Sequence, residues 1–274
     1  MMKQYCFICI FLCACFLSSA QIDREADSLF YGGDFINAAV AFEYLAFQEM
    51  DKSLKGVLLL KKSYCYKARG EYDQALAILK RVRPAVNDTL KEIVSYEKIL
   101  LGFLSDDYQS SYNDLLKHKL VFGKIDSDLF SLEVLNLMAL NRWEEAKILI
   151  QQNSDLLDFS SEEIEYIFTK KLKPKNPDKA FNLSMFLPGV GQMYTGYFFK
   201  GVVSGGAQAL LIGFSAFSLY NGYFFTGGMT GVALFYTFYF GGARYARELA
   251  IQKNKKRALE MSLKFNDLKL KKAL

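Results

Sequence analysis

The sequence predicts an all-α protein, a helical-repeat solenoid followed by a transmembrane helical hairpin. Three observations predict it. A helical pattern with small and aromatic residues in fixed places returns four times between residues 21 and 169. Residues 201–243 then run without a charge, and Lys200 is the only charge between Ala180 and Ala243. At about 1.5 Å rise per residue and about 20 residues per crossing, that length fits two membrane helices and a tight turn. Charge divides in the same way: residues 1–169 hold 18 Lys+Arg against 25 Asp+Glu, and residues 170–274 hold 16 against 4. A basic region beside apolar spans points to lipid headgroups as the partner rather than nucleic acid.

Residues 1–20 read as a secretory signal peptide. A short positive start (MMK) precedes the apolar core QYCFICIFLCACFL, and Ser18-Ser19-Ala20 supplies small residues for cleavage before Gln21. A lipoprotein site at Cys15 and an uncleaved anchor are the alternatives. Cys6, Cys9, Cys13 and Cys15 leave with the peptide, so Cys65 remains, a single thiol with no intrachain partner. It sits in an apolar helical run and is expected to be buried and inert.

Over residues 21–169 the repeat is set by Gly33, Gly70, Asp106 and Asn141, spaced 37, 36 and 35 apart. Each ends a first helix where a left-handed backbone is wanted. An aromatic follows two residues later (Phe35, Tyr72, Tyr108, Trp143), and then a small residue (Ala38, Ala75, Ser111, Ala146) that lets the helices approach. An aliphatic or aromatic filler comes next (Phe42, Leu79, Leu115, Ile150). The spacing is close to a period of about 34 residues. This part resembles a degenerate tetratricopeptide-repeat array, with Gly70-Glu71-Tyr72-Asp73-Gln74-Ala75-Leu76 as its best copy and Pro84 well placed after it. The resemblance implies a stacked solenoid that binds proteins or peptides along a concave groove. The family's carboxylate clamp of Lys and Asn is not matched by Val57, Leu60, Tyr64 and Lys67. The repeat residues themselves are expected to be core packing.

Residues 170–180 read as a basic linker, preceded by a helix capped at Ser160 or Ser161. Residues 181–243 form the membrane module. Pro188, Gly189, Gly191, Gln192, Tyr194 and Gly196 spell PGxGQxYxG, which resembles the signature of small bacterial two-helix membrane domains. That resemblance implies a topology and no defined activity. Gly201, Gly205, Ala209 and Gly213 recur every fourth residue in the first span, and Gly227 and Gly231 are offered by the second. Small residues so spaced serve helix packing, within the hairpin or in a homo-oligomer. The break between spans is expected at Asn221-Gly222, with a loose point at Gly227-Gly228. Counting Ala180–Phe199 as a third crossing puts Lys200, Arg244 and Arg247 in the cytoplasm; Pro188-Gly189 equally suits a re-entrant segment. Residues 244–274 read as a basic helical tail with Leu259, Leu263 and Leu270 on an apolar stripe, able to lie on anionic lipid.

No catalytic constellation emerges. His118, the only histidine, is expected in a polar loop between Lys117 and Lys119, and the acidic pairs are expected to be solvated. The expectation is a non-enzymatic scaffold without cofactor or metal in a bacterial envelope, in the inner membrane with its repeats on the periplasmic side. Its partners are membrane lipid, proteins bound in the groove and a second copy of itself. The alternative is a membrane module with its own pore-forming or lipid-handling activity and regulatory repeats.

Overall fold

The computed structural model describes residues 24–83, 87–123, 126–153, 157–168 and 173–273. The expected signal peptide with its four cysteines, Pro84 and the first residues of the basic linker lie outside them. Among the described residues all regular structure is helical. The chain divides into two units between Leu140 and Asn141.

The first unit holds α1 (24–31), α2 (Phe35–Gln48), α3 (Lys52–Ala68), α4 (Tyr72–Leu79), α5 (Asp88–Leu104), α6 (Tyr108–Phe122) and α7 (Ser127–Ala139). The turn residues behave as their spacing demands: φ is 83° at Gly33, 76° at Gly70 and 61° at Asp106. Behind Gly33 and Gly70 the chain closes a Schellman turn, Asp34 N–H to Leu29 O and Glu71 N–H to Tyr66 O, both 2.9 Å. The next residue is the N-cap, and Asp34 and Asp107 accept from the amides of Asn37 and Ser110.

Helix approach is set by the small residues. A Cβ on Gly102 of α5 would meet the Ser111 Cβ at 3.2 Å, so Gly102 and Ser111 give the α5–α6 pair its closeness. Ser111 stays satisfied there by donating to Ile99 O at 2.7 Å and accepting from Asn136 Nδ2 at 3.0 Å. Ala38, Ala75, Phe42, Leu79 and Leu115 are all buried. Ion pairs join the helices. Arg81 grips Glu43 with two bonds of 2.9 and 2.7 Å, Lys62 adds a third at 2.8 Å, and Lys67 reaches the buried Glu97 at 2.8 Å.

The second unit holds α8 (Trp143–Gln152), α9 (Ser161–Ile167), α10 (Pro177–Phe186), α11 (Val190–Tyr194), α12 (Phe198–Tyr220), α13 (Phe224–Gly228), a π-helical stretch (Met229–Leu234) and α14 (Phe235–Ala273). Asn141, at its start, has the same left-handed φ of 61°, and Trp143, Ala146 and Ile150 are buried. Ser160 caps α9 through a full capping box with Glu163.

The expected internal boundaries move. Pro177, at a first helical turn where a missing N–H is tolerated, starts α10 inside the expected linker, and Asn176 caps it. The boundary expected at 243/244 falls within α14, one continuous helix of 39 residues. Its buried face carries Ala243, Ala246, Ala250, Asn254, Ala258, Met261 and Phe265, while Leu259, Leu263 and Leu270 are exposed. Where α14 runs beside α10 that side is mostly alanine, Ala243, Ala246 and Ala250, and these small residues let α10 lie close. Further along, Phe265 meets Phe159 edge-on at 5.7 Å, and Lys264 donates to Tyr166 O at 3.0 Å.

Among the described residues α12 alone is long and apolar enough to cross a membrane. The second apolar stretch is not one regular helix. It turns at Asn221 and at Gly222 (φ 81°), forms α13, passes through the π stretch and enters α14. The loose point expected at Gly227-Gly228 ends α13, and the π segment begins directly after it. Ser215 donates to Gly227 O there at 2.6 Å, and a Cβ on Gly231 would lie 2.5 Å from the Ser215 hydroxyl.

Candidate functional site

The PGxGQxYxG residues build a helical pair that enters and returns at the same end. Along α10 the pairing with α14 is antiparallel. Lys175 N–H donates to Asn254 Oδ1 at 2.8 Å, Arg247 grips Asp178, and Tyr239 O–H donates to Met185 O. At Leu187-Pro188-Gly189 the chain reverses, and α11 leads back until the Tyr194 hydroxyl accepts from Asn176 N–H at 3.2 Å. The chain therefore folds back on itself within this stretch, and Tyr194 returns to the start of α10. Proline stops α10, and the φ of 93° at Gly189 turns the backbone where only glycine is comfortable.

Packing decides the rest of the motif. A Cβ on Gly189 would sit 2.1 Å from Gly201 O, and one on Gly191 would sit 2.0 Å from Ala180 O. Conversely, a Cβ on Gly201 would meet Gly189 O at 2.5 Å, and one on Gly205 would meet Pro188 O at 2.8 Å. Half of the small-residue row on α12 is thus a notch for the reversal at Pro188-Gly189. Ala209 and Gly213 are exposed, and a Cβ on Gly213 would touch nothing within 4 Å. Gly227 packs against Leu219. Gly196, at φ 94°, ends α11 with a Schellman turn from Tyr197 N–H to Gln192 O at 3.0 Å.

Gln192 is the hub. Fully buried, it accepts from Ser184 Oγ of α10 at 2.9 Å and donates to Gly242 O of α14 at 2.9 Å and to Ser204 Oγ of α12 at 3.3 Å. One amide therefore ties α11 to three other helices. Gln208 is also buried and donates to Phe238 O at 3.4 Å, while its Oε1 has no partner. The outward surface is the reverse: Val203, Leu210, Phe217 and Phe199 are exposed, the last at 83%.

A second candidate surface lies in the first unit. Ile36, Val40, Tyr44 and Phe47 form an exposed apolar row on α2. With Ala39, Glu43 and, from α3, Lys62 and Tyr66, they line an open groove of about 460 Å³, and Arg69 lies at its edge. The sequence reading missed this row because its repeat frame follows the buried side of the helices; the 36-40-44-47 spacing was its signal. The face with Val57, Leu60, Tyr64 and Lys67 divides, Leu60 being buried and Val57 exposed.

His118 requires a correction. It lies on α6, buried, with Nδ1 3.0 Å from Ser95 Oγ, not in a polar loop. Lys117 and Lys119 leave the helix in other directions, and burial lowers the imidazole pKa. Cys65 is buried, and burial pushes its thiol up to about 11, which keeps it protonated. Among the described residues no cluster of His, Cys, Asp and Glu has the arrangement of a metal site. No protein-family model matches the chain, and neither a curated protein nor a solved structure matches it.

Proposed function

We propose that this protein is a membrane-anchored helical-repeat scaffold of a bacterial envelope, acting by holding other proteins rather than by catalysis. The observation that carries the reading is the inverted solvation of residues 190–243. Amides, hydroxyls and glycines face inward while Phe, Leu, Ile and Val face outward from a 23-residue helix. Such a surface is stable in lipid and not in water. The groove on α2 is the surface for a protein partner, through apolar anchors rimmed by Lys62 and Arg69. The tetratricopeptide resemblance supports the same use.

In this reading the chain crosses twice, through α12 and through residues 224–243, and the α10–α11 pair dips in and returns. Both flanks of the module then lie on one side of the membrane, with the repeats, instead of the tail lying opposite. An impermeant thiol reagent on intact spheroplasts tests this with Lys256→Cys in a Cys65→Ser background. Labelling is expected; protection until lysis would establish a third crossing.

The scaffold itself is tested by crosslinking in cells and purification through a C-terminal tag. A stoichiometric partner is expected with the wild type and should be lost with the exposed-face double variant Val40→Asp/Tyr44→Asp, which stays in the membrane. A homo-oligomer without partner from both chains would overturn the reading and move function to the module.

A further inference from the structure

One end of the 173–253 bundle gathers cations on aromatic faces. Lys175 and Lys179 lie 4.4 and 5.5 Å from the Tyr194 ring centroid. Lys200 and Lys253 lie 4.8 and 5.7 Å from that of Tyr197, and Lys200 also donates to the Tyr245 hydroxyl at 2.8 Å. Three separate stretches of chain therefore bring four lysines onto three tyrosines. Among the described residues none of the four pairs with a carboxylate; Asp178 is taken by Arg247. An ammonium carries three donors, and a ring face uses its charge without satisfying them. Four like charges held together with donors to spare form a receptor for an anion with several acceptor oxygens.

The anion's other half is set by the neighbouring surface. Phe198 and Phe199 adjoin Lys200 in sequence and are 60% and 83% exposed, and Phe186 and Leu187 before the reversal are 92% and 58% exposed. A soluble phosphate leaves that apolar surface uncovered, whereas a phosphodiester bearing acyl chains covers it. We infer that this lysine–tyrosine collar binds the headgroup of an anionic phospholipid, the acyl chains lying along α12 and the reversal at Pro188. The inference rests on the membrane-anchored reading. Bound lipid would neutralise the end where α10, α11, α12 and α14 converge and so hold the α10–α11 pair in place.

The test uses the full chain extracted in mild detergent, delipidated, and examined by native mass spectrometry with equimolar phosphatidylglycerol and phosphatidylcholine. A preference on the order of tenfold for phosphatidylglycerol is expected, at about the strength of several lysines at a lipid surface. The quadruple variant K175Q/K179Q/K200Q/K253Q should fall to parity, and its charge-preserving Lys→Arg counterpart should keep the preference. Parity in the wild type, or an unchanged preference in the glutamine variant, would overturn the inference. So would displacement of the lipid by glycerol phosphate at equal concentration, which would mark a free-anion site. Release of the wild type from membranes by alkaline carbonate would instead overturn the anchor reading, and is scored separately.

Discussion

In the first unit the fully buried side chains include Phe42, Leu79, Ile99, Leu101 and Leu115; in residues 190–243 of the second they include Gln192, Thr195, Gln208 and Ser218. The contrast extends to what joins the helices. The first unit uses apolar contact reinforced by ion pairs at its margins, such as Glu43 with Arg81 and Lys62. The module uses glycine notches and amide or hydroxyl bonds to carbonyls. Water rewards burial of apolar area, and in the membrane-anchored reading that force is absent around the module, whose surroundings are themselves apolar. What remains is close contact and the need to satisfy polar groups. The two regions therefore have different weak points.

The largest effect should come from deleting the same ring in each place. Phe42→Ala is expected to destabilise the first unit by about 3–5 kcal/mol. Phe199→Ala, removing an exposed ring that meets the exposed Phe198 edge-on at 6.0 Å, should shift stability by about 0.5 kcal/mol or less. Thermal melting of helicity in mild detergent reads both; equal losses would break the contrast.

A smaller but sharper effect separates two glycines of the module. Gly189→Ala adds a methyl 2.1 Å from the Gly201 carbonyl at a positive φ, and about 2–3 kcal/mol of destabilisation is expected. Gly213→Ala adds one into open space on a helix and should be neutral or stabilising by about 0.5–1 kcal/mol. Protease resistance of the 177–196 segment measures the difference. An intact Gly189→Ala segment would mean the reversal is not held by that close approach.

The smallest effect concerns acid. The Arg81 guanidinium, helped by Lys62 and opposed by partial burial, holds the Glu43 carboxyl at about 2 instead of 4.5. A depressed pKa adds stability that is fully present above about pH 4.5 and is lost as pH falls toward 2. Since Glu43 and Arg81 are both partly solvated, about 1 kcal/mol or less is at stake. Glu43→Gln should lower stability at pH 7 and flatten the acid limb between those values. An acid limb unchanged by the variant would remove the ion pair from the account.

The turns between these helices were readable because they are written in residues with special backbone behaviour. Gly33, Gly70, Asp106 and Asn141 tolerate or favour a left-handed φ, and their spacing located those four turns, while Gly123 (φ 67°) and Asp158 (φ 51°) fall outside that frame. The Ser160 cap and the turn at Asn221-Gly222 were legible for the same local reason. His118 was not, because flanking lysines say nothing about a residue whose side chain leaves the helix in another direction. The groove on α2 escaped because a frame built on buried positions ignores the opposite face.

The sequence alone determined the turns at Gly33, Gly70, Asp106 and Asn141, the cap at Ser160 and which stretch is apolar, since capping, φ preference and composition act within a few residues. Tertiary structure alone decided that Pro188-Gly189 reverses the chain, because the reversal depends on a notch at Gly201 and Gly205 on another helix. It also decided which face of α14 is buried. Beside α10 close packing uses the narrow face of Ala243, Ala246 and Ala250, and further along Phe265 rather than Leu259, Leu263 or Leu270 turns inward to meet Phe159. Where contact distance rather than transferred area sets the energy, small side chains win the interface, and only the partner's surface shows which ones.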